Sequence, residues 1–284
     1  MRPGEPSRTA QWVAFARGLG HHEVPSIHED RVARALLGPP WSTMLAAADV
    51  DPPLARVMVG AGDRLSGGRT RFMSYRTRVL DDVVREGAAA GIRQVVLLGA
   101  GLDARAWRLG DALADAVVFE VDHPDTQAFK RERLAGLPSV AREVRFVGVD
   151  FEKDALDAKL LAAGFDARLP ATVLWEGVVM YLPSEAIDAT LRILRGLLAA
   201  GSLLAISYSR SGSGRIELLR RSVAVVVAAA GEQFRHHEEP PAMRARVERA
   251  GFRWRWDEGH PDWAPRLTGR RTTWDIQRVV LVGG

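Results

Sequence analysis

The fold is decided by one stretch of the chain, Gln94-Val-Val-Leu-Leu-Gly-Ala-Gly-Leu-Asp-Ala-Arg105. It begins with a short apolar run typical of a buried strand, continues with Gly99 and Gly101, and leads into a segment compatible with a helix. Gly99 permits a tight turn, and Gly101 lets a ligand lie against the backbone, because glycine has no side chain. A strand that ends in glycines before a helix is typical of nucleotide-binding proteins. The G-x-G spacing alone does not identify the ligand.

The composition predicts a soluble protein without thiol chemistry. The 284 residues include no cysteine, which excludes disulfides, thiolate zinc sites and a thiol nucleophile. The 39 basic residues are scattered among 35 acidic ones, so we expect no nucleic-acid partner. No acidic ligands surround His21, His22 and His28, so we expect no metal. The longest aliphatic run, Val223 to Ala230, is far shorter than the ~20 residues of a membrane span. Without an apolar signal core near Met1, the chain is expected to be cytoplasmic and to have no membrane partner.

Two regions of the chain differ in pattern. Residues 1–87 are predicted to form an N-terminal helical cap, and residues 88–284 a ligand-binding α/β domain. In the second region strands and helices alternate, which predicts a parallel sheet with helices on both faces. Two later strands joined by a loop predict a closing antiparallel hairpin. Residues 209–240 are predicted to be an insertion after the fifth strand that covers the ligand as a lid. The strands are predicted at 95–98, 116–121, 144–149, 171–175, 202–207, 252–256 and 274–282.

Acidic residues follow four of the predicted strands, namely Asp103, Asp122, Asp150 and Glu176. The carboxyl ends of parallel strands lie at one edge of a doubly wound sheet, where ligands bind. Asp122 comes 21 residues after Gly101, close to the usual spacing of an acid that binds ribose hydroxyls. Since NAD, FAD and S-adenosylmethionine all contain ribose, this spacing leaves the three cofactors open.

Charge favours S-adenosylmethionine among them. A dinucleotide places its pyrophosphate over the glycine turn, where Asp103 and the nearby Glu176 would repel it. S-adenosylmethionine instead brings a sulfonium and an ammonium, which carboxylates attract. Its single carboxylate needs a cation, and Arg76 or Arg78 is placed shortly before the sheet to provide one.

Three motifs, in this order, resemble the leucine carboxyl methyltransferase family. They are Val95-Val-Leu-Leu-Gly-Ala-Gly-Leu-Asp-Ala-Arg-Ala-Trp-Arg-Leu109, Val118-Phe-Glu-Val-Asp-His-Pro124 and Glu176-Gly-Val-Val-Met-Tyr-Leu-Pro183. The sequence is more similar to the bacterial branch of S-adenosylmethionine-dependent O-methyltransferases, some of which act on polyketide carboxyl groups. The resemblance covers about residues 70–210. It implies a class I methyltransferase fold, a Rossmann-like seven-stranded sheet that is mostly parallel with an antiparallel last strand.

The resemblance also implies roles for single residues. Arg76 is similar to the arginine that holds the cofactor carboxylate, and Asp122 to the acid that holds the ribose. Glu176 resembles an acid near the amino-acid end of the cofactor, and Tyr208 a tyrosine after the fifth strand. The further implied contacts are Gly99 and Gly101 with the amino-acid moiety, and Asp150 and Phe151 with the adenine.

The expected reaction is in-line transfer of a methyl group to an oxygen of a small-molecule or polyketide-type substrate. A carboxylate acceptor is already ionised and needs no general base, whereas a phenol would favour one, with Tyr181, Tyr208 and His123 available. Two alternatives stay open. Gly99 to Ala104 also satisfies a dinucleotide fingerprint, which would fit an NAD-dependent oxidoreductase, although Asp103 opposes it. A non-catalytic cofactor-binding protein would keep the same fold. The sequence leaves the oligomeric state unknown.

Overall fold

The computed structural model describes residues 8–150, 154–211 and 233–284. Within them, one seven-stranded sheet has the order β3-β2-β1-β4-β5-β7-β6, and β7 runs antiparallel to both neighbours while the pairs among β1 to β5 are parallel. This topology confirms the predicted α/β fold with an antiparallel last strand. The strands are β1 (Gln94–Leu98), β2 (Val117–Asp122), β3 (Glu143–Gly148), β4 (Ala171–Trp175), β5 (Leu203–Ser209), β6 (Arg253–Gly259) and β7 (Gln277–Gly283).

Helices precede the sheet and connect its strands. In the N-terminal region α1 packs along α4, and a short 3-10 helix, Val179–Tyr181, follows β4. The helices before the sheet are α1 (Arg8–Gly20), α2 (Trp41–Val50), α3 (Pro52–Leu65) and α4 (Arg69–Ala89). The later ones are α5 (Arg105–Arg108), α6 (Gly110–Leu113), α7 (Pro124–Arg133), α8 (Leu156–Ala162), α9 (Ser184–Leu197), α10 (Pro240–Arg249) and α11 (His260–Thr268).

Apolar residues on both faces of the sheet are buried, as the continuous apolar strands predict. In β1, Val95 and Leu97 join a core formed with α4, whereas Val96 and Leu98 join a core on the opposite face. Successive side chains of a strand point to opposite faces, so one apolar run supplies both cores. Because α4 packs directly on the sheet, the helical region before residue 87 shares a core with the α/β region.

The predicted loop between the last two strands is wrong, because residues 260–268 form α11. Asp262 explains its start, since its carboxylate accepts a hydrogen bond of 2.8 Å from the backbone N–H of Gly259. Gly269, with a φ of 70°, ends the helix in the left-handed conformation that glycine tolerates. These two features mark only the ends of the helix. Neither creates the long apolar repeat by which a helix is recognised in a sequence.

The fifth strand extends beyond its predicted end at residue 207. It continues to Ser209 because β7 pairs with it throughout, and Tyr208 lies opposite Arg278. Tyr208 is therefore inside the strand instead of at its exit. Most of the predicted lid, residues 212–232, lies outside the described residues.

An aromatic cluster joins α4 to the C-terminal region around His260. The imidazole centroid lies 5.7 Å from that of Phe72, 5.1 Å from Tyr75 and 5.5 Å from Trp274. Burial lowers the pKa of His260 from 6.5 to about 4, since a charged imidazole is poorly solvated there. The folded protein therefore holds this histidine in its neutral form near neutral pH.

His260→Phe should reduce the pH dependence of stability. Because the unfolded state binds the proton at higher pH, stability is lost as pH falls from 6.5 towards 4. In the wild type this histidine should lower the free energy of unfolding by about 2 kcal/mol between pH 7 and pH ~4.5. Urea unfolding followed by tryptophan fluorescence at both pH values measures the difference. An equally large difference in His260→Phe would contradict this account.

Candidate active site

A cavity of about 730 Å³ opens at the carboxyl edge of the sheet. Its walls include residues that follow β1, β2, β3 and β4, among them all four acids predicted to meet there. One face of α1 forms part of the wall through Ala10, Val13 and Arg17, whose spacing of three and four residues places them on the same side of a helix. The N-terminal region thus contributes side chains to the cavity wall at this edge of the sheet.

The glycine turn after β1 forms part of the cavity wall. Gly99 has a φ of 67° and Gly101 a φ of 47°, both in the left-handed region that favours glycine. A Cβ atom on Gly99 would lie 2.2 Å from Cγ2 of Val178, so any other residue here would force Val178 to shift. A Cβ atom on Gly101 would meet the Cβ atom of Ala10 only at 3.8 Å. Gly99 is therefore required for packing, and Gly101 leaves bare backbone facing the cavity.

Asp122 at the end of β2 is fixed by two backbone hydrogen bonds. Its Oδ2 accepts one of 2.6 Å from the N–H of Gly101, and its Oδ1 accepts one of 2.6 Å from the N–H of His123. Burial raises the pKa of Asp122 above its ordinary value. A carboxylate accepts about four hydrogen bonds, so acceptor capacity remains for a ligand.

His123 and Asp150 follow the ends of β2 and β3, and both line the cavity. His123 caps the start of α7, where its Nδ1 accepts a hydrogen bond of 3.3 Å from the N–H of Asp125. Asp150 lies in the cavity wall after β3. The predicted adenine contact Phe151 lies outside the described residues.

Glu176, which follows β4, is held by two arginines. Arg76 on α4 donates from Nε to Oε1 at 2.9 Å, and its Nη1 donates to Oε1 of Gln277 at 3.0 Å. Arg105 donates from Nη1 to Oε2 of Glu176 at 2.9 Å. Both carboxylate oxygens are therefore occupied by cations. Arg76 and Glu176 both line the cavity, so a ligand there meets a positive and a negative charge side by side.

Arg105 also contacts two further carboxylates. Its Nε donates to Oδ1 of Asp81 at 2.8 Å, and its Nη1 and backbone N–H both donate to Asp103. Burial alone would raise the pKa values of Asp103 and Glu176, but attraction to Arg105 and to further cations outweighs it and lowers both. Both groups are accordingly ionised at neutral pH.

A second layer of ion pairs adjoins this one, and one of its members, Arg17, also lines the cavity. Arg108 donates to both oxygens of Asp81 at 2.7 Å. Arg17 donates to Asp30 at 2.9 Å and to the carbonyl of Leu102 at 2.6 Å. In the described part of the chain, the two layers contain four arginines and four carboxylates. We call them the arginine–carboxylate network, and its members are Arg17, Arg76, Arg105, Arg108, Asp30, Asp81, Asp103 and Glu176.

The network corrects the electrostatic argument made from the sequence. That argument treated Asp103 and Glu176 as unpaired negative charges, whereas each accepts hydrogen bonds from Arg105. Arg105 itself was missed, although it ends the stretch that decides the fold. A charged residue beside a glycine turn reads as a surface residue in a sequence, yet this side chain is only 2% exposed.

The structure separates the two tyrosines for which a catalytic role is predicted. Tyr181 lines the cavity, and its ring centroid lies 5.4 Å from that of Phe234. Tyr208 is fully buried, does not line the cavity, and donates its hydroxyl to Oδ2 of Asp257 at 2.6 Å. Burial also raises its pKa. The catalytic role predicted for Tyr208 therefore has no geometric basis, because β7 continues the sheet beyond it.

Arg78, the other arginine considered for the cofactor carboxylate, lies outside the cavity wall. Nε of Arg78 donates to both oxygens of Asp82 at 2.9 Å, and Arg78 does not line the cavity. Residues two apart on a helix face different sides, which explains why Arg76 reaches the cavity and Arg78 does not.

Two further features concern metals and membranes. In the described residues, no group of three or more histidine, aspartate or glutamate side chains is arranged to hold a metal ion. No helix in residues 8–150, 154–211 or 233–284 has both the length and the apolar character required to cross a membrane.

Gly99→Ala should destabilise the protein more than Gly177→Ala. Both glycines have left-handed φ values, 67° and 71°, but a Cβ atom clashes with Val178 only at position 99 and has open space at position 177. We expect the clash to cost a further 1–3 kcal/mol or so in the free energy of unfolding. Val178→Ala removes the clashing atom and should recover part of this loss in the double variant. Urea unfolding of the single and double variants measures both effects, and equal losses at positions 99 and 177 would contradict the packing role.

The sequence has relatives with assigned names. A model of the family described as leucine carboxyl methyltransferase matches residues 10–195. A Streptomyces coelicolor protein, provisionally named an S-adenosyl-L-methionine-dependent methyltransferase, is 43% identical over 201 residues, which are 69% of this chain and 64% of that protein. A Mycobacterium marinum protein with the same provisional name is 40% identical over 205 residues, with the same two shares. The chain thus spans 64% of the length of these relatives.

Solved structures share the fold. A protein of Thermobifida fusca, provisionally named a methyltransferase, has a TM-score of 0.59 and 16% identity, with 99% of this chain and 95% of that chain covered. A DUF574 family protein of Streptomyces avermitilis has a TM-score of 0.58 and 20% identity, with 81% and 90% covered. The family match extends from α1 to α9, includes the glycine turn, Asp122 and Glu176, and agrees with the resemblance seen in the three motifs. The chain belongs to the leucine carboxyl methyltransferase family.

Proposed function

We propose that the chain is an S-adenosylmethionine-dependent O-methyltransferase that acts on a carboxylate of a small, polyketide-type molecule. The observation that carries the proposal is the Arg76–Glu176 pair in the cavity wall. A cation and an anion side by side complement the carboxylate and the ammonium of an amino-acid moiety. The names of the S. coelicolor and M. marinum relatives point to the same cofactor.

The remaining cavity residues fit the other parts of this cofactor. Gly101 offers bare backbone in a left-handed turn, and Asp122 has acceptor capacity for ribose hydroxyls. Asp150 lines the cavity after β3, and in this proposal it accepts a hydrogen bond from the adenine amino group. When bound, S-adenosylmethionine supplies an electrophilic methyl group on a positively charged sulfur. The protein's part is to position the two reactants and to exclude water, and such orientation supplies up to ~7–11 kcal/mol of rate enhancement.

A carboxylate acceptor is favoured by the cationic side of the cavity. Arg235 lines the wall beside Tyr181, and its side chain makes no hydrogen bond or ion pair with the described residues. Its backbone N–H donates to the carbonyl of Met180 at 2.8 Å, which fixes this arginine next to the 3-10 helix. An anionic acceptor would pair with it. A carboxylate also reacts without a general base, which agrees with the burial of Tyr208 away from the cavity.

Arg76→Ala should weaken binding of S-adenosylmethionine, and Arg78→Ala should not. A hydrogen bond to a charged group contributes about 1.5–3 kcal/mol, so we expect an increase of roughly 10- to 100-fold in Kd for Arg76→Ala. Arg78 is on the same helix and pairs with Asp82 outside the cavity, which makes it the matched control. Isothermal titration calorimetry with S-adenosylmethionine measures both variants, with NAD as the competing ligand. Tight NAD binding by the wild type, or an unchanged Kd in Arg76→Ala, would contradict the proposal.

The methylated product should be an ester. Incubation with S-adenosylmethionine and a panel of aromatic and aliphatic acids, each with a phenol of matched size, should add one methyl group to acids, as detected by mass spectrometry. Mild alkali hydrolyses a methyl ester but leaves a methyl ether intact, so it identifies the oxygen that was methylated. Tyr181→Phe should retain activity on acids, because their carboxylates need no base. Products that resist alkali would contradict a carboxylate acceptor and would indicate that a phenol is methylated.

A further inference from the structure

Arg105 lies behind the cavity and connects three elements of the fold. It is the first residue of α5, directly after the glycine turn, and is 2% exposed. Its guanidinium contacts Asp81 on α4, Asp103 in the turn and Glu176 after β4. Asp103 and Glu176 line the cavity, whereas Arg105 does not. Arg105 therefore makes no direct contact with the cavity, and its hydrogen bonds reach the cavity wall through these two carboxylates.

The two carboxylates depend on this arginine to different degrees. Within the described residues, Asp103 has no other side-chain hydrogen-bond partner, while Glu176 has Arg76 as well. Asp103 and Glu176 also repel each other, which favours protonation of one of them. Loss of a partner from a buried ion pair leaves an uncompensated charge that is costly to bury. A carboxylate in that position takes up a proton or moves towards water.

The other charged groups near these carboxylates cannot replace Arg105. Arg108 bonds Asp81, and Arg17 bonds Asp30, so both are already engaged. Arg76 makes its hydrogen bonds to Oε1 of Glu176 and to Gln277. The charged groups facing the two carboxylates or Arg105 are Arg17 from α1, Arg76 and Asp81 from α4, Arg108 from α5, Glu120 from β2 and Lys130 from α7.

We propose that Arg105 is a positioning residue that holds Asp103 and Glu176 ionised and at a fixed separation in the cavity wall. The inference rests on the proposed function, since it assigns these carboxylates to the cofactor site. The planar guanidinium places one nitrogen between Glu176 and Asp103 and another on Asp81, and a lysine ammonium cannot reproduce that geometry. The arginine thereby sets the charge that an ammonium or sulfonium group meets, without contacting the ligand.

The test compares Arg105→Met with Arg108→Met in calorimetric titrations with S-adenosylmethionine at pH 5.5 and pH 7.0. Arg108 belongs to the same network and also bonds Asp81, but it makes no hydrogen bond to either cavity carboxylate. In Arg105→Met, one carboxyl should titrate within this pH range, so affinity should fall about tenfold as the pH is lowered. Repeating the titrations in buffers of different ionisation enthalpy should show proton release on binding. The wild type and Arg108→Met should show a smaller fall in affinity and less proton release than Arg105→Met.

The outcomes separate the inference from the proposed function. If the wild type does not bind S-adenosylmethionine, the proposed function fails. If the wild type binds and the pH profile of Arg105→Met matches that of Arg108→Met, the role of Arg105 is overturned. If Arg105→Met shows no cooperative thermal unfolding, Arg105→Lys is titrated in its place. Lysine retains the positive charge but lacks the planar guanidinium, so the Kd for S-adenosylmethionine should rise about tenfold without proton release. A Kd within twofold of the wild type would overturn the inference.

Discussion

The bonds of Arg105 and Arg76 to Glu176 are the interaction on which the rest of the site depends. They join α4 and α5 to the end of β4 at the cavity, so the helices before the sheet and the sheet edge are held together at this point. Buried charges are tolerated only when they are paired and hydrogen-bonded. The arginine–carboxylate network meets this condition with equal numbers of both charges. Its geometry therefore fixes where each helix lies relative to the glycine turn.

The same ion pairs also connect the N-terminal region to the sheet. Arg17 on α1 bonds Asp30 and the carbonyl of Leu102, which belongs to the glycine turn. Arg76 on α4 reaches Glu176, and the apolar face of the same helix packs on the sheet. A cap attached through both a shared core and a shared ion network moves only if both are broken. In the described residues, the part of the cavity wall formed by α1, α4 and the glycine turn is therefore held by both kinds of contact.

Much of the fold was predictable from the sequence, because it rests on local apolar patterns. The run from Val95 to Leu98 and the glycines after it place β1 and the turn, and alternating strands and helices require a parallel sheet. The helix α11 escaped prediction because its start depends on one bond between Asp262 and Gly259. Tyr208 was misplaced because the length of β5 is set by pairing with β7, and these strands are far apart in the chain.

The site was predictable in part, for a different physical reason. The rule that parallel strands end at one edge brings Asp103, Asp122, Asp150 and Glu176 together, and it holds for any sheet of this type. The ion pairs of Asp103 and Glu176 depend on helices that pack against that edge, and a one-dimensional pattern does not contain those contacts. A count of acids thus overstates the negative charge of the cavity, which Arg76 and Arg105 offset.

Under the proposed function, selection of the cofactor rests on the arrangement of charges more than on their sum. A cavity with many unpaired acids would attract any cation and repel any anion. A wall where Arg76 and Glu176 lie side by side instead presents both signs within a few ångströms of each other. A ligand with a single charge gains from one partner and is opposed by the other. A zwitterion with an ammonium beside a carboxylate satisfies both, and the amino-acid end of S-adenosylmethionine is such a group.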